Sequence, residues 1–120
     1  MIESVNIKYK FSLFKEYWNP KIIADLNDSQ VKIAKIKGEF VWHTHEKEDE
    51  LFLVIKGNFN IKLRDKDIEL REGELVVIPK GVEHKPVANE ETHILLIELK
   101  GTINTGDVED EKTKTEEEYL

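Results

Sequence analysis

Short apolar runs separated by turn-forming residues fill the chain between Lys21 and Lys100. Within that stretch no run of ten or more residues has helical periodicity, which excludes folds built on helices. Gly, Asn, Asp and Pro stand between the runs, and these are the residues that tight turns favour. The pattern therefore predicts an all-β domain. We expect strands at residues 22–26, 31–37, 41–45, 50–56, 59–64, 68–70, 75–78, 83–87 and 93–100.

The predicted strands differ in the number of faces that they bury. Phe59, Ile61 and Leu63 alternate with polar residues, so their strand has one solvated face. Residues 51–55 and 75–78 are instead apolar on both faces. An outer wall with this much apolar surface needs a cover, which is either an N-terminal arm or a second copy of the chain. We therefore expect a homodimer.

Alternation of side chains along a strand also predicts which of them point inward. If Glu50 points into the domain, Phe52 and Val54 do so too, and the aliphatic residues between them face outward. By the same rule, an inward His43 places Phe40 on the outer face.

Four side chains with metal-binding capacity lie near the ends of predicted strands. His43 and His45 are two residues apart and therefore share one face of an extended strand. Glu50 begins the next predicted strand, and His84 comes just after a turn at residues 79–81. Neutral imidazole and carboxylate suit a divalent transition metal ion. We predict a metal site formed by His43, His45, Glu50 and His84 on the inner wall of a small β-barrel.

Each of these residues also has a simpler interpretation. His43 and His45 would ordinarily be surface histidines in a turn, but an inward pair without a metal would need other polar partners. His93 opens an apolar strand with no acid or histidine at ligand spacing, which favours a structural role. Among the acids near the histidines, Glu50 adjoins an apolar run while the others belong to a hydrophilic loop. Asp49 is the alternative ligand.

The segment around the two close histidines resembles the first sequence motif of the cupins. That motif reads Gly, five residues, His-x-His, three or four residues, Glu, six residues, Gly. Gly38, His43, His45, Glu50 and Gly57 match it, with four residues rather than five after the first glycine.

The segment around the third histidine resembles the second cupin motif, which reads Gly, five residues, Pro-x-Gly, two residues, His, three residues, Asn. Gly73, Pro79, Gly81 and His84 match it without change, and Asn89 falls one position late. The resemblance as a whole covers residues 22–100.

The resemblance implies a cupin-type double-stranded β-helix, or jelly-roll barrel, with a metal near its open mouth. It implies His43, His45, Glu50 and His84 as the ligands. In cupins the ion is commonly iron, manganese, nickel, zinc or copper, and coordination chemistry does not separate these here. The chain looks like the small single-domain cupins that are loosely called sugar-phosphate isomerase-like, a label that rests on fold alone.

Charge and composition exclude several kinds of partner. The formal net charge is −7, and residues 107–119 hold seven acids against two lysines, which leaves the remainder nearly balanced. Without a clustered basic face, nucleic acid is not an expected partner. The chain has no cysteine, no apolar run of membrane-spanning length and no apolar signal-peptide core at its start. We expect a cytoplasmic protein with no membrane partner.

We divide the chain into an N-terminal aromatic arm at 1–20, a cupin barrel at 21–101 and an acidic C-terminal tail at 102–120. The composition of the tail predicts a solvated, mobile segment, or a frayed helix over 109–119.

The aromatic arm carries a pattern typical of a strand. Val5, Ile7, Tyr9 and Phe11 alternate with polar residues, and Ser12 is suited to start a helical turn after them. Whether the arm covers its own barrel or a partner subunit stays open at this point.

Two classes of function fit a buried metal site of this kind. A metal-dependent enzyme acting on a small organic molecule, of isomerase, dioxygenase or lyase type, would bind substrate, water or dioxygen at the open metal positions. The alternative is a non-enzymatic module that binds a metal or a small ligand for sensing or storage, which the short chain favours because little remains for a lid. In both cases a small molecule is expected in the barrel mouth. A purely structural metal is less well supported, because structural zinc sites are closed and often thiolate-bound.

Overall fold

The computed structural model describes residues 2–120 as antiparallel β-structure with one short helix. The hydrogen-bonded path of strands is β1-β2-β7-β3-β6, and β4 pairs with both β5 and β7. The prediction of an all-β fold is confirmed. None of residues 2–120 belongs to a helix long and apolar enough to cross a bilayer. The elements are α1 Ile7–Phe11, β1 Lys21–Leu26, β2 Ser29–Glu39, β3 Glu50–Lys56, β4 Asn58–Lys62, β5 Asp67–Arg71, β6 Leu75–Ile78 and β7 Lys85–Leu99.

The longest strand, β7, joins the two halves of the barrel. It pairs with β2 over most of its length, with β3 near its end and with β4 near its start. The sequence predicts two strands, 83–87 and 93–100, with a turn between them, and this prediction is wrong. The polar residues 89–91 instead form a bulge opposite Lys37, because Ile36 pairs with Thr92 and Gly38 with Ala88.

The interior of the barrel is apolar and follows the predicted alternation. On β3, Phe52 and Val54 are buried in the interior and the residues between them face outward, as expected from an inward Glu50. The interior cluster comprises Ala34, Ile36, Phe52, Val54, Phe59, Ile61, Leu70, Ile78, Ala88, Ile94 and Leu96. This packed cluster fills one part of the barrel.

The aromatic arm covers the outer face of its own barrel. Phe11 and Phe14 are buried there against Ile33 of β2 and Leu95 of β7. The predicted strand is wrong, because the arm forms the helix α1, in which the Asn6 side chain accepts a hydrogen bond from the Tyr9 backbone at 2.9 Å. Ser12 ends this helix rather than starting one.

The acidic tail packs on the barrel, so the expectation of a solvated segment or frayed helix is wrong. The Ile22 backbone donates to the Glu118 carbonyl at 2.8 Å, and the Leu120 backbone donates to the Ile22 carbonyl at 2.9 Å. Thr105 is fully buried. The tail is largely irregular, and its position along β1 results from these backbone bonds and from an interior ion pair described below. The division of the chain at residue 102 stays a prediction.

Candidate metal centre

The four side chains predicted as ligands meet at one point inside the barrel. His43, His45, Glu50 and His84 each offer one nitrogen or oxygen atom, and these four atoms all lie within 4.8 Å of one another. Each of the four residues is at most 4% exposed. The structure thus brings the whole predicted set together, whereas their role as ligands stays a prediction.

Backbone pairing fixes the positions of two of the histidines. The His43 and His84 backbones exchange hydrogen bonds of 3.0 Å in each direction, which makes them opposite neighbours in an antiparallel bridge. The predicted strand at 41–45 is otherwise absent, because the backbone of Thr44 bonds to Asp107 of the tail and not to a strand. Phe40 also departs from the strand pattern and is buried beside His43 at a ring-centre distance of 5.4 Å.

Side-chain hydrogen bonds fix which ring nitrogen of each histidine faces the cluster. His43 Nδ1 lies 2.8 Å from the Val41 carbonyl, and His84 Nδ1 lies 2.9 Å from the Val82 carbonyl. A carbonyl only accepts, so both Nδ1 atoms carry the proton and both Nε2 atoms present a lone pair. Such backbone-oriented imidazoles are typical of metal sites in proteins.

Unpartnered lone pairs converge at the centre of the cluster. Glu50 Oε1 lies 3.5 Å from His45 Nε2 and 3.3 Å from His84 Nε2. Among residues 2–120 none of these three atoms has a hydrogen-bond partner. Leaving buried polar atoms unsatisfied is costly. Ligand atoms about 2.1 Å from one ion lie about 3 Å apart, so a metal ion fits this spacing and would satisfy all three.

Burial keeps the imidazoles in the form that binds metals. Burial, with the neighbouring His84, lowers the pKa of His43 to about 3. Burial also lowers the pKa of His45 and of His84. The three rings are therefore neutral at pH 7. Burial raises the pKa of Glu50, which means that the carboxylate needs a nearby cation to stay ionised there.

A buried ion pair lies directly behind Glu50. Lys32 of β2 is fully buried, and its Nζ donates to Glu98 of β7 at 2.8 Å and to Glu117 of the tail. Burial, with the neighbouring Glu50, raises the pKa of Glu98 well above its ordinary range. Three buried carboxyl groups thus lie around one ammonium, and a divalent cation at the histidines would stabilise the ionised form of Glu50. The donor set and the charge of this region both fit a metal.

Sequence reasoning missed Lys32 and Glu98. The signal that was available is the two-residue alternation of β7, since Ile94 and Leu96 point inward and Glu98 continues that row. A charged residue on an otherwise apolar inner row indicates a buried polar partner.

The other residues considered at the sequence level lie outside the cluster. Asp49, the alternative ligand, accepts a hydrogen bond from the Lys80 backbone at 2.9 Å and so caps the turn before His84. Glu48 Oε1 lies 3.4 Å from His45 Nδ1 and orients that ring. His93 stacks on Phe11 at 4.5 Å, which agrees with a structural role.

The tail is hydrogen-bonded to the loop that carries the two close histidines. Thr44 donates its backbone N–H to Asp107 Oδ1 at 2.8 Å, and the Asp107 backbone donates to the Thr44 carbonyl at 3.1 Å. Gly106 has φ +58, and a Cβ there would overlap the Thr44 carbonyl and lie 3.2 Å from the His43 ring. Only glycine allows this approach.

Replacing Gly106 by alanine should displace this part of the tail from the histidine loop. We expect a loss of about 1–3 kcal/mol in the free energy of unfolding, measured by urea titration, because the added methyl overpacks a closed contact. Gly101→Ala is the matched control, since Gly101 also has positive φ but nothing within 4 Å of an added Cβ. Equal losses in the two variants would show that backbone conformation alone, and not the contact with Thr44, makes glycine necessary.

Comparison with known proteins agrees with this geometry. The family model described as Cupin domain matches residues 30–100. The chain is 52% identical to a cupin-2 domain containing protein from Shewanella frigidimarina, with 80% of this chain and 94% of that one covered at a TM-score of 0.79. It is 34% identical to protein NMB1881 from Neisseria meningitidis, with 82% and 100% covered at a TM-score of 0.75.

A curated relative also matches the chain. The Bacillus subtilis protein YdbB is 37% identical over 79 residues, which are 65% of this chain and 70% of YdbB. The antiparallel barrel, the four converging side chains and the match over residues 30–100 lead to one conclusion. The chain belongs to the cupin family, with a jelly-roll β-barrel fold.

Proposed function

We propose that this cupin binds one divalent transition metal ion through His43, His45, Glu50 and His84, and that it acts as a metal-dependent enzyme on a small organic molecule. The observation that carries the proposal is the set of buried atoms His45 Nε2, Glu50 Oε1 and His84 Nε2, which have no hydrogen-bond partner among residues 2–120. The Glu50 oxygen lies 3.5 Å from the His45 nitrogen and 3.3 Å from the His84 nitrogen. The ion is iron, manganese, nickel, zinc or copper.

The chain's own residues have distinct roles in such a site. A bound divalent ion would supply Lewis-acid chemistry, polarising a carbonyl or another oxygen-containing group of a substrate. His43 and His84 are held in orientation by backbone carbonyls, and Glu50 supplies one negative charge. The apolar barrel wall excludes water and so strengthens electrostatic interactions at the site. Isomerisation, dioxygenation and lyase chemistry are all compatible with this arrangement.

Metal analysis combined with a turnover screen tests the proposal. Protein purified without nickel affinity should carry about one transition metal ion per chain in elemental analysis. With that metal loaded, a substrate found in the screen should lose turnover in His84→Ala. Protein that neither carries nor takes up a metal would reject the proposal, and turnover that survives His84→Ala would reject this site as the catalytic one.

A non-enzymatic binding module is the second candidate, and the contact of the tail with the histidine loop favours it. Gly106 and Asp107 lie on that loop, and the cavity that reaches His43 and Glu50 has a volume of about 40 Å³. A sensing or storage module would show saturable ligand binding by the metal-loaded protein with no turnover of the same ligand.

We also propose that the protein is a cytoplasmic homodimer. Leu75 and Val77 of β6 are 57% and 47% exposed, and their partners on β3, Leu53 and Leu51, lie on the same outer face. This patch supports contact with a second copy. Sedimentation analysis should give a dimer that dissociates in Val77→Lys and persists in Leu26→Lys, whose exposed leucine lies on β1. A monomer at all concentrations would contradict the proposal.

A further inference from the structure

The loop that carries His43 and His45 is held by the tail at the residue between the two histidines. Thr44 donates its backbone N–H to Asp107 Oδ1 at 2.8 Å, and its carbonyl accepts from the Asp107 backbone at 3.1 Å. Residues 40–49 contain no strand, only the bridge at His43. The two bonds to Asp107 therefore replace the pairing that a neighbouring strand would provide.

The His45 ring has weaker support than the other two imidazoles of the cluster. His43 and His84 each place Nδ1 against a backbone carbonyl, at 2.8 and 2.9 Å. His45 Nδ1 instead lies 3.4 Å from the Glu48 side chain, a longer contact that fixes a ring less firmly. The position of the His45 ring therefore depends more on its backbone. The Gly81 N–H holds that backbone on one side, at 2.9 Å from the His45 carbonyl, and the tail holds it on the other.

The part of the tail that meets the histidine loop is folded by its own hydrogen bonds. Asn104 Nδ2 donates to the Lys112 carbonyl at 3.0 Å, and its Oδ1 accepts from the Lys114 backbone at 2.8 Å. The hydroxyls of Thr105 and Thr113 share a hydrogen bond of 2.6 Å, and Thr105 is fully buried. Residues 104–114 thus meet the loop as one bonded unit with a defined surface.

A second attachment of the tail lies behind Glu50. The Glu117 side chain is 7% exposed and accepts a hydrogen bond from Lys32 Nζ, which also donates to Glu98 at 2.8 Å. Glu98 and Glu50 line the same interior cavity. The tail therefore contacts the surroundings of the cluster at two separate places. A substitution at the histidine loop leaves the second attachment in place and does not release the whole tail.

We propose that Asp107 is a positioning residue for the metal centre, which holds Thr44 and thereby keeps His43 and His45 in the arrangement that binds the ion. This inference rests on the proposed metal function. Coupling between two binding events is reciprocal. A bound ion should therefore also strengthen the contact between the tail and the histidine loop.

Matched substitutions at Asp107 test this role through metal affinity. Asp107→Ala removes the acceptor of the Thr44 N–H, whereas Asp107→Asn keeps an acceptor oxygen and removes the charge. Asp107→Ala should weaken Zn²⁺ binding about tenfold in competition with a chromogenic chelator, as loss of an outer-shell partner of a metal site does. Asp107→Asn should keep an affinity close to that of the natural chain. An equal loss in both variants overturns the inference, because charge and not the hydrogen bond would then be responsible.

Asp110→Ala is the control for a contact that serves only the fold. Asp110 Oδ1 also accepts a backbone N–H, from Lys112 at 3.0 Å, but this bond stays within the tail. The variant should bind Zn²⁺ as the natural chain does, with the melting temperature measured beside that of Asp107→Ala. Equal Zn²⁺ affinity in the two alanine variants overturns the inference.

Gly106→Ala provides a second variant at the same contact. Its added methyl would meet the Thr44 carbonyl, whereas a methyl at Gly101 has nothing within 4 Å. Gly106→Ala should therefore weaken Zn²⁺ binding and Gly101→Ala should not. The same Zn²⁺ affinity in both overturns the inference.

Amide hydrogen exchange, measured by NMR, tests the reciprocal effect. Zn²⁺ should slow exchange of the Asp107 N–H, which bonds to the Thr44 carbonyl. The Lys114 N–H bonds within the tail and should exchange at the same rate with and without the ion. Zn²⁺ binding that leaves exchange at Asp107 unchanged overturns the inference.

Metal binding by the natural chain separates this inference from the proposed function. Undiminished Zn²⁺ affinity in Asp107→Ala overturns the role of Asp107 and leaves the metal proposal standing. A natural chain that takes up no divalent transition metal overturns both.

Discussion

Replacing His45 by alanine is expected to abolish metal retention while leaving a folded barrel. The ring provides one of the three imidazoles, and its buried Nε2 has no partner among residues 2–120. Because loss of an outer-shell contact alone costs about 10–100-fold in metal affinity, loss of a ligand should cost at least about 100-fold. Elemental analysis after dialysis measures the effect, and circular dichroism measures the fold.

His93→Ala is the matched control for this experiment. His93 is a partly buried imidazole that stacks on Phe11 and lies 2.8 Å from Glu91, outside the cluster. Its removal should leave the metal content unchanged. If His45→Ala and His93→Ala retained equal amounts of metal, the assignment of the four side chains as a metal site would be wrong.

The second large effect is expected at Lys32. Changing Lys32 to methionine leaves Glu98 and Glu117 buried without their cation, and breaking a buried ion pair in this way costs about 3–5 kcal/mol. Urea denaturation should show this loss as a lower midpoint with an unchanged slope. Lys100→Met is the control, since Lys100 is about half exposed and its contact with Asp25 is 3.8 Å long. That change should cost no more than about 1 kcal/mol.

The pH dependence of this pair has a definite sign. Burial lowers the pKa of Lys32, but Glu98 and Glu117 outweigh burial and leave the pKa above the ordinary 10.5. A raised pKa means that the contribution of Lys32 to stability is fully present below pH 10.5 and is lost only as the pH rises through the folded-state value. The difference in free energy of unfolding between the natural chain and Lys32→Met should therefore not shrink from pH 7 to 9. A difference that shrinks within that range would contradict a charged, paired lysine.

The strand that carries Glu50 and the strand paired with it were predictable because their local sequence patterns are unambiguous. Residues 50–56 and 75–78 are found as β3 and β6 with the predicted bounds. The inward orientation of Glu50, Phe52 and Val54 follows from alternation alone. The two-residue spacing of His43 and His45 predicted that they lie close together, and the antiparallel bridge between His43 and His84 brings the third imidazole to them.

The structure of the arm was mispredicted because the five residues of α1 fit the alternation of a strand as well as the spacing of a helix. Ile7 and Phe11 fit an alternating strand, yet they are also four residues apart and share one face of α1. The Asn6 cap and the apolar wall beneath the arm favour the helix. The apolar wall beneath the arm is formed by residues distant in the sequence, so the local pattern of the arm does not reveal it.

The tail was mispredicted because its stabilising partners are distant in the chain. Acidic composition predicts solvation, but Glu117 pairs with Lys32, which lies 85 residues away inside the barrel. The hydrogen bond between Thr44 and Asp107 joins residues that are 63 positions apart in the sequence. Contacts of this kind depend on the folded barrel and leave no trace in local composition.

Because the ammonium of Lys32 is buried, its chemical reactivity reports on opening of the structure around it. Amine-reactive reagents modify exposed lysines such as Lys100 directly, but they reach Lys32 only when the segment holding Glu117 detaches. The acetylation rate at Lys32, divided by that at Lys100, therefore measures how often the barrel opens along that edge.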